Sequence, residues 1–176
     1  MSNIRKELTV CVVSGPTLSG KSHLLNWLRS LPEYRNTTLI EMDKIRLSIF
    51  GNRKLTDTEH VFKNEATLHA LKTKLITDRP EIVFLEMGLP TETKHQKPLL
   101  ATIADAQRYI DEIESERREI GLNSQTVKID LGVVLTYCDI ESVKRRLDYR
   151  LNQPDNKSCT DTFDLRTWLR DISLLF

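Results

Sequence analysis

The sequence predicts an α/β domain with a mostly parallel sheet. Short apolar runs rich in β-branched residues alternate along the chain with amphipathic helical segments, which is the pattern of a parallel sheet covered by helices. A glycine-rich turn joins the first apolar run to the first helix. With 176 residues, the chain has the length of one domain, so we expect a single domain over residues 1–176.

The first strand and the first helix are predicted at residues 8–14 and 22–31, and Pro32 ends the helix. The turn between them satisfies every fixed position of the phosphate-loop pattern G-x-x-x-x-G-K-[ST]. Its residues are Gly15, Pro16, Thr17, Leu18, Ser19, Gly20, Lys21 and Ser22.

This loop predicts a polyphosphate site at the N-terminus of the first helix. Glycines allow successive backbone N–H groups to turn toward phosphates, and the helix dipole favours negative charge there. Lys21 is expected to reach the β- and γ-phosphates of ATP, and the Ser22 hydroxyl to bind Mg²⁺. The alternative is a glycine-rich turn without a ligand, which the strand and helix on either side disfavour.

A carboxylate and an arginine follow the second predicted strand, at residues 37–40. Asp43 and Arg46 lie three residues apart at the start of a short helix, so both are expected to face the crevice at the carboxyl ends of the strands. Asp43 is predicted to accept the proton of an acceptor hydroxyl, and Arg46 to hold an anionic group of the acceptor. The alternative is a helix-capping aspartate with an ordinary ion pair.

The third unit combines a long helix with another strand. Thr56 and Glu59 form a predicted capping box at the start of the helix, which is expected to end near Pro80. The apolar strand at residues 82–85 ends at Glu86, a place where a carboxylate orients the Mg²⁺ shell. A solvated glutamate at a strand end is the alternative.

Residues 88–98 are predicted to form a loop. A helix over residues 99–120 follows and stops at Gly121, and the fourth strand is predicted at residues 131–137. The loop contains three basic side chains, Lys94, His95 and Lys97.

An arginine-rich helix is predicted from residue 140 to residue 151. Arg146 and Arg150 are four residues apart, so they share one helical face that can neutralise the charge of a transferred phosphoryl group. With the polar residues that follow, this helix predicts a lid over residues 140–160; an exposed basic helix is the alternative. A last helix is predicted from Asp161 or Thr162 to the C-terminus.

Composition and charge limit the partners and the cellular compartment that the sequence predicts. A net charge of +1 does not indicate a broad surface for nucleic acid or anionic membranes. The three cysteines and four histidines have no metal-site spacing, and an odd number of cysteines favours a reduced, cytoplasmic protein. Neither a signal-peptide core nor an apolar run of membrane-spanning length is present, so we expect no membrane partner.

These motifs together resemble the P-loop kinases of the polynucleotide-kinase-like and zeta-toxin-like group. The resemblance lies in the phosphate loop, the D-x-x-R of Asp43 and Arg46, and the R-L-x-x-R of Arg146 and Arg150. It implies a three-layer P-loop kinase fold with a sheet of four to five strands and an arginine-bearing lid. We expect four strands, because the sequence shows no fifth strand between the lid and the last helix.

The resemblance also implies roles for individual residues. In that group, the residue matching Asp43 acts as the general base, and the one matching Arg46 contacts a phosphate of the acceptor. The arginines matching Arg146 and Arg150 close over the donor phosphates, and the residues matching Lys21 and Ser22 bind ATP and Mg²⁺.

The sequence therefore predicts an ATP- and Mg²⁺-dependent kinase that phosphorylates a hydroxyl. The acceptor is either a nucleic-acid 5′ end or a small molecule such as a nucleoside, sugar or antibiotic, and the near-neutral charge favours a short or small one. The alternative is a non-catalytic nucleotide-binding module that regulates a protein partner. A motor-like ATPase is disfavoured by the size of the chain. The acceptor, the choice between ATP and GTP, and the oligomeric state stay open.

Overall fold

The computed structural model describes residues 4–15, 18–34, 37–87 and 93–151, in which strands and helices alternate. The strands are β1 (Ile4–Ser14), β2 (Thr38–Glu41), β3 (Ile82–Met87) and β4 (Gln125–Leu135). The helices are α1 (Lys21–Ser30), α2 (Met42–Phe50), α3 (Asp57–Thr77), α4 (Thr93–Glu119) and α5 (Ile140–Leu151). A 3₁₀ turn, Pro32–Tyr34, follows α1.

The four described strands form one sheet in the order β2-β3-β1-β4, and every neighbouring pair is parallel. This confirms the predicted α/β fold with a parallel sheet. Because the strands are parallel, their carboxyl ends share one edge of the sheet. The phosphate loop therefore starts at that edge from the centre of the sheet, with β3 and β2 on one side of it and β4 on the other.

Apolar side chains are buried on both faces of the sheet, as expected for parallel strands covered by helices. On one face, Val10 and Leu85 pack against Leu71 of α3 and Ile110 of α4, all of them buried. The other face is covered by α1, whose Leu25 packs against a second buried cluster with Val13 and Phe84. These two layers hold the loop between β1 and α1 in place.

The predicted helix ends are confirmed where the signal is local. In the capping box, Thr56 N–H donates to Glu59 Oε2 at 2.9 Å, and Glu59 N–H donates to Thr56 Oγ1 at 3.4 Å. At the end of α4, Gly121 has a φ of 75°, which glycine adopts without steric cost. There Leu122 N–H donates to Arg117 O at 2.8 Å.

The prediction for β4 was wrong in its bounds. The strand runs from Gln125 to Leu135 rather than from 131 to 137. Its first half alternates apolar and polar residues because only one face is packed there: Val127 and Ile129 belong to the buried cluster, whereas Thr126 and Lys128 are exposed. A search for continuous apolar runs misses that pattern. The side chain of Gln107 on α4 holds this half of β4 with two hydrogen bonds. Its Nε2 donates to Val127 O, and its Oε1 accepts from Ile129 N, both at 2.8 Å.

The predicted loop over residues 88–98 is also wrong at its end. Helix α4 begins at Thr93 and contains Pro98, six residues before the predicted start at Leu99. Pro98 is the sixth residue of α4, so it lies inside the helix, where proline supplies no N–H for the usual hydrogen bond and is generally disfavoured. Residues 88–92 and the side chains of Lys94 and His95 lie outside the described part, whereas Lys97 is exposed.

Two other strand ends differ from the prediction by a few residues. β1 begins at Ile4, because residues 4–9 pair with the first half of β4. β3 continues through Glu86 to Met87, which pairs with Ser14 at the end of β1. Glu86 therefore lies within the paired part of β3 and does not follow the strand as the sequence had predicted. The predicted last helix lies outside the described residues.

Candidate phosphate-binding cleft

A cleft of about 1150 Å³ opens at the carboxyl edge of the sheet. Its lining includes Gly20, Lys21 and Ser22 of the phosphate loop together with Asp43 and Glu86. Residues far apart in sequence meet here because β1, β2 and β3 are parallel and end at one edge. The cleft is therefore the candidate functional site.

The loop has the backbone geometry that its glycines predict. Gly20 has a φ of 100° and forms the N-cap of α1, and Leu18 also has a positive φ, of 66°. The first N–H groups of a helix have no partner within the helix, and the residues that begin α1 line the cleft. Pro16 and Thr17 lie outside the described residues.

Contacts from Thr136, the residue that follows β4, hold the loop from one side. Ser19 Oγ and Thr136 Oγ1 are 2.5 Å apart, and Thr136 N–H donates to Ser14 O at 2.8 Å. A Cβ on Gly15 would lie 2.2 Å from Thr136 Oγ1, a distance that carbon and oxygen never reach without a bond. Gly15 is therefore required by close approach as well as by its backbone angle.

Lys21 and Ser22 reach the loop and β3. Lys21 Nζ donates to Gly15 O at 3.0 Å, so the ammonium lies across the loop. Ser22 Oγ donates to Glu86 Oε1 at 2.9 Å. The two residues predicted to hold Mg²⁺ are thus in direct contact, although their sequence positions are 64 residues apart.

The electrostatics of Glu86 reflect a crowded acidic site. Burial raises the pKa of its carboxyl above the ordinary value, and the nearby Glu41 and Asp43 carboxylates raise this pKa further. The hydrogen bond from Ser22 and the charge of Lys21 oppose that rise. A cation bound beside these carboxylates would relieve their mutual repulsion.

The donor set fits magnesium. Mg²⁺ prefers hard oxygen ligands, keeps several waters, and is commonly held by one or two protein groups together with substrate phosphates. Ser22 and Glu86 supply a hydroxyl and a carboxylate. In the described part of the chain there is no cluster of three or more His, Cys, Asp and Glu side chains that could hold a metal by itself.

The structure separates Asp43 from Arg46. Asp43 is exposed in the first turn of α2 and lines the cleft. Arg46, one turn further, is only 8% exposed; its Nη1 donates to Arg53 O at 3.3 Å, and its Nε has no hydrogen-bond partner among the described residues. Arg46 does not line the cleft. Its predicted contact with the acceptor stays a prediction.

Helix α5 contacts the loop through the first of the two predicted arginines. Arg146 Nη1 donates to Leu18 O at 2.6 Å and lies 3.5 Å from the position of a Cβ on Gly20. The side chain of Arg150 and residues 152–160 lie outside the described part, so closure of a lid over the donor stays a prediction.

Comparison with known proteins defines the fold. No protein-family model and no curated protein sequence matches the chain. Among solved structures, it is similar to a chain of the Pnkp1/Rnl/Hen1 RNA repair complex, with a TM-score of 0.57 and 14% identity over 100% of this chain and 47% of that one. It is also similar to APE1195, with a TM-score of 0.53 and 14% identity over 85% and 71% of the two chains.

A third similar structure is the tunicamycin resistance protein of Deinococcus radiodurans, with a TM-score of 0.50 and 14% identity over 94% of this chain and 80% of that one. The fold is that of the P-loop kinases. At this level of identity the likeness establishes the fold alone, and the chain spans about half the length of the RNA-repair chain. Across the described helices, none is both long and apolar enough to cross a bilayer.

Four side chains near this P-loop were not singled out from the sequence. Thr136 contacts the loop, while Trp27, Arg145 and Tyr149 line the cleft. No local motif marks them, because their role depends on where α1 and α5 lie in the P-loop kinase fold. The only sequence signal is helical spacing: Trp27 lies on α1 seven residues after Gly20, and Tyr149 lies three residues after Arg146.

Proposed function

We propose that the protein is an ATP- and Mg²⁺-dependent phosphotransferase that transfers the terminal phosphate of ATP to a hydroxyl acceptor. The observation that carries this proposal is the convergence of four groups in one cleft: the phosphate loop, the Ser22–Glu86 pair, the Asp43 carboxylate and the Arg146 guanidinium. A nucleotide-binding module needs the loop but has no need of an exposed carboxylate facing it.

Each group has a role in phosphoryl transfer, which depends mainly on positioning and on neutralising charge. The N–H groups at the start of α1 and the Lys21 ammonium bind the phosphates of the donor. Asp43 takes the proton of the acceptor hydroxyl, and the oxygen of that hydroxyl forms a bond to the γ-phosphorus. The bond from the γ-phosphorus to the bridging oxygen breaks, and ADP leaves with that electron pair.

Ser22 and Glu86 would hold magnesium, which supplies neutralisation of charge on the β- and γ-phosphates when bound. Their hydrogen bond presets the hydroxyl and the carboxylate side by side. Arg146 already contacts the loop carbonyl at Leu18, so its guanidinium lies next to the place where phosphates are expected. Arg150 would add a second cation from the same helical face.

Two classes of phosphate acceptor are to be tested side by side. Among the proteins with similar folds, one belongs to an RNA repair complex and another is a tunicamycin resistance protein. Both a nucleic-acid 5′-hydroxyl and a small alcohol are therefore appropriate substrates to test. The net charge of +1 favours a short or small acceptor, because contact with many phosphates requires a basic surface.

The test is transfer of label from γ-labelled ATP to 5′-hydroxyl oligonucleotides and to a panel of small alcohols. Replacing Asp43 by Asn should lower kcat by about 10²- to 10⁴-fold, because the variant keeps the shape but loses the general base. Binding of ATP, measured by calorimetry, should change little.

The matched control is Asp57→Asn, which removes an exposed carboxylate in the first turn of α3, outside the cleft. This variant should transfer label at the parent rate. Equal rates for parent and Asp43→Asn would show that Asp43 is not the base. Binding of ATP without transfer to any acceptor would favour the regulatory module instead.

A further inference from the structure

The cleft has an aromatic end that the proposed chemistry does not use. Trp27 on α1 is 54% exposed and Tyr149 on α5 is 68% exposed, and both line the cleft that contains the phosphate loop. Single exposed aromatic residues are ordinary on protein surfaces. Here two of them come from separate helices and line one cleft.

The strand order shows which end this is. β3 and β2 lie on one side of β1, so Glu86 and Asp43 are on that side of the loop. β4 lies on the other side and leads into α5, which carries Tyr149. Tyr149 therefore lies across the loop from the two carboxylates, and we call the part of the cleft lined by Trp27 of α1 and Tyr149 of α5 its aromatic end.

The helix α1 extends the aromatic end away from the phosphates. Trp27 lies six residues beyond Lys21, which corresponds to about 9 Å along the helix axis. Leu24, one turn before it, also lines the cleft. An apolar, flat surface at this distance from a phosphate site suits a planar ring joined to the phosphates through a short linker, which is the shape of a nucleotide.

Building on the proposed function, we propose that Trp27 and Tyr149 bind the base of the nucleotide whose phosphates occupy the loop. Aromatic side chains bind bases by stacking on their faces, which tolerates different bases but favours larger rings. The site therefore takes purine nucleoside triphosphates in preference to pyrimidine ones, and it discriminates little between adenine and guanine.

The experiment uses the full chain with Trp168→Phe, which leaves Trp27 as its one tryptophan, since the sequence contains two. Calorimetry measures the affinities for ATP, GTP, CTP and inorganic triphosphate, which has phosphates but no base. In this background, Trp27→Ala should weaken ATP and GTP binding by about 5- to 150-fold and leave triphosphate binding unchanged. Trp27→Phe should keep most of the affinity.

A second readout is the fluorescence of Trp27, which ATP should quench and inorganic triphosphate should not. The control variant Tyr109→Ala removes an exposed aromatic ring of α4 outside the cleft and should bind every ligand as the parent does. Tyr149→Ala should act in the same direction as Trp27→Ala.

Equal losses for ATP and triphosphate would overturn the proposal, because they would assign Trp27 a structural role. Unchanged ATP affinity in both alanine variants would overturn it as well. Base-dependent binding that Trp27→Ala weakens, in a protein that transfers no phosphate to any acceptor, would support this proposal while the proposed function fails.

Discussion

The phosphate loop and α2 both carry side chains predicted for phosphoryl transfer, but the fold places them differently. In the loop, contacts from β3, β4 and α5 hold neighbouring residues toward one cleft. On α2, Asp43 faces the cleft, whereas Arg46, one turn away, is buried against the backbone of Arg53. Spacing on a helix thus predicts which residues are neighbours, but the elements packed around the helix decide which of them reach solvent.

The strongest test of the loop replaces Gly15 by Ala. The added Cβ would lie 2.5 Å from Thr136 O and 2.2 Å from its hydroxyl, at a φ of 155° that side chains rarely adopt. We expect the free energy of unfolding to fall by about 2–4 kcal/mol and ATP binding to be lost, because the loop must move away from β4. Urea unfolding and calorimetry measure the two effects.

Gly51→Ala is the matched control. Gly51 also has a positive φ, of 68°, but a Cβ there meets nothing within 4 Å. It should cost about 1–2 kcal/mol of backbone strain and leave ATP binding intact. Similar behaviour of the two variants would show that close approach to Thr136 does not constrain the loop.

These contacts also mark the limit of prediction from sequence. The phosphate loop, the capping box and the order of strands and helices were predictable, since each depends on residues close together in the chain. Thr136 was not, because its contact with Ser19 spans 117 residues and requires β1 and β4 to be neighbours. The first half of β4 was missed for a related reason: its polar residues lie on an exposed face, and which face is covered depends on where the helices pack.

The second prediction concerns Glu86→Gln, near the end of β3, where the carboxylate contacts Ser22. The amide keeps an oxygen for Ser22 but removes the charge, so we expect the Mg²⁺ concentration required for half-maximal transfer to rise by about 10- to 100-fold. Titration of Mg²⁺ at saturating ATP measures this. An unchanged Mg²⁺ requirement would remove Glu86 from the metal site.

The same variant tests the raised pKa of Glu86. Between the ordinary pKa of a glutamate and the raised one, the folded protein binds more protons than the unfolded chain, so the stability of the parent falls as pH rises through that window. Glutamine does not titrate. Glu86→Gln should therefore gain stability relative to the parent as pH rises from about 4 to neutral, and urea unfolding at several pH values should show the difference growing and then levelling off. A difference that is the same at every pH would contradict the raised pKa.

The smallest expected effect comes from Arg46→Met, on the α2 side of the comparison. Methionine retains the apolar stem in its buried position and removes a guanidinium whose Nε lacks a partner among the described residues. Because an unsatisfied buried donor is costly, the free energy of unfolding should rise by about 1 kcal/mol. Arg108→Met, at an exposed site on α4, should change it by less than about 0.5 kcal/mol.

A loss of stability in Arg46→Met would show that the guanidinium is held more strongly than its contact with Arg53 O indicates. An increased KM for the acceptor, together with the gain in stability, would mean that Arg46 is kept buried at a cost because it binds the acceptor.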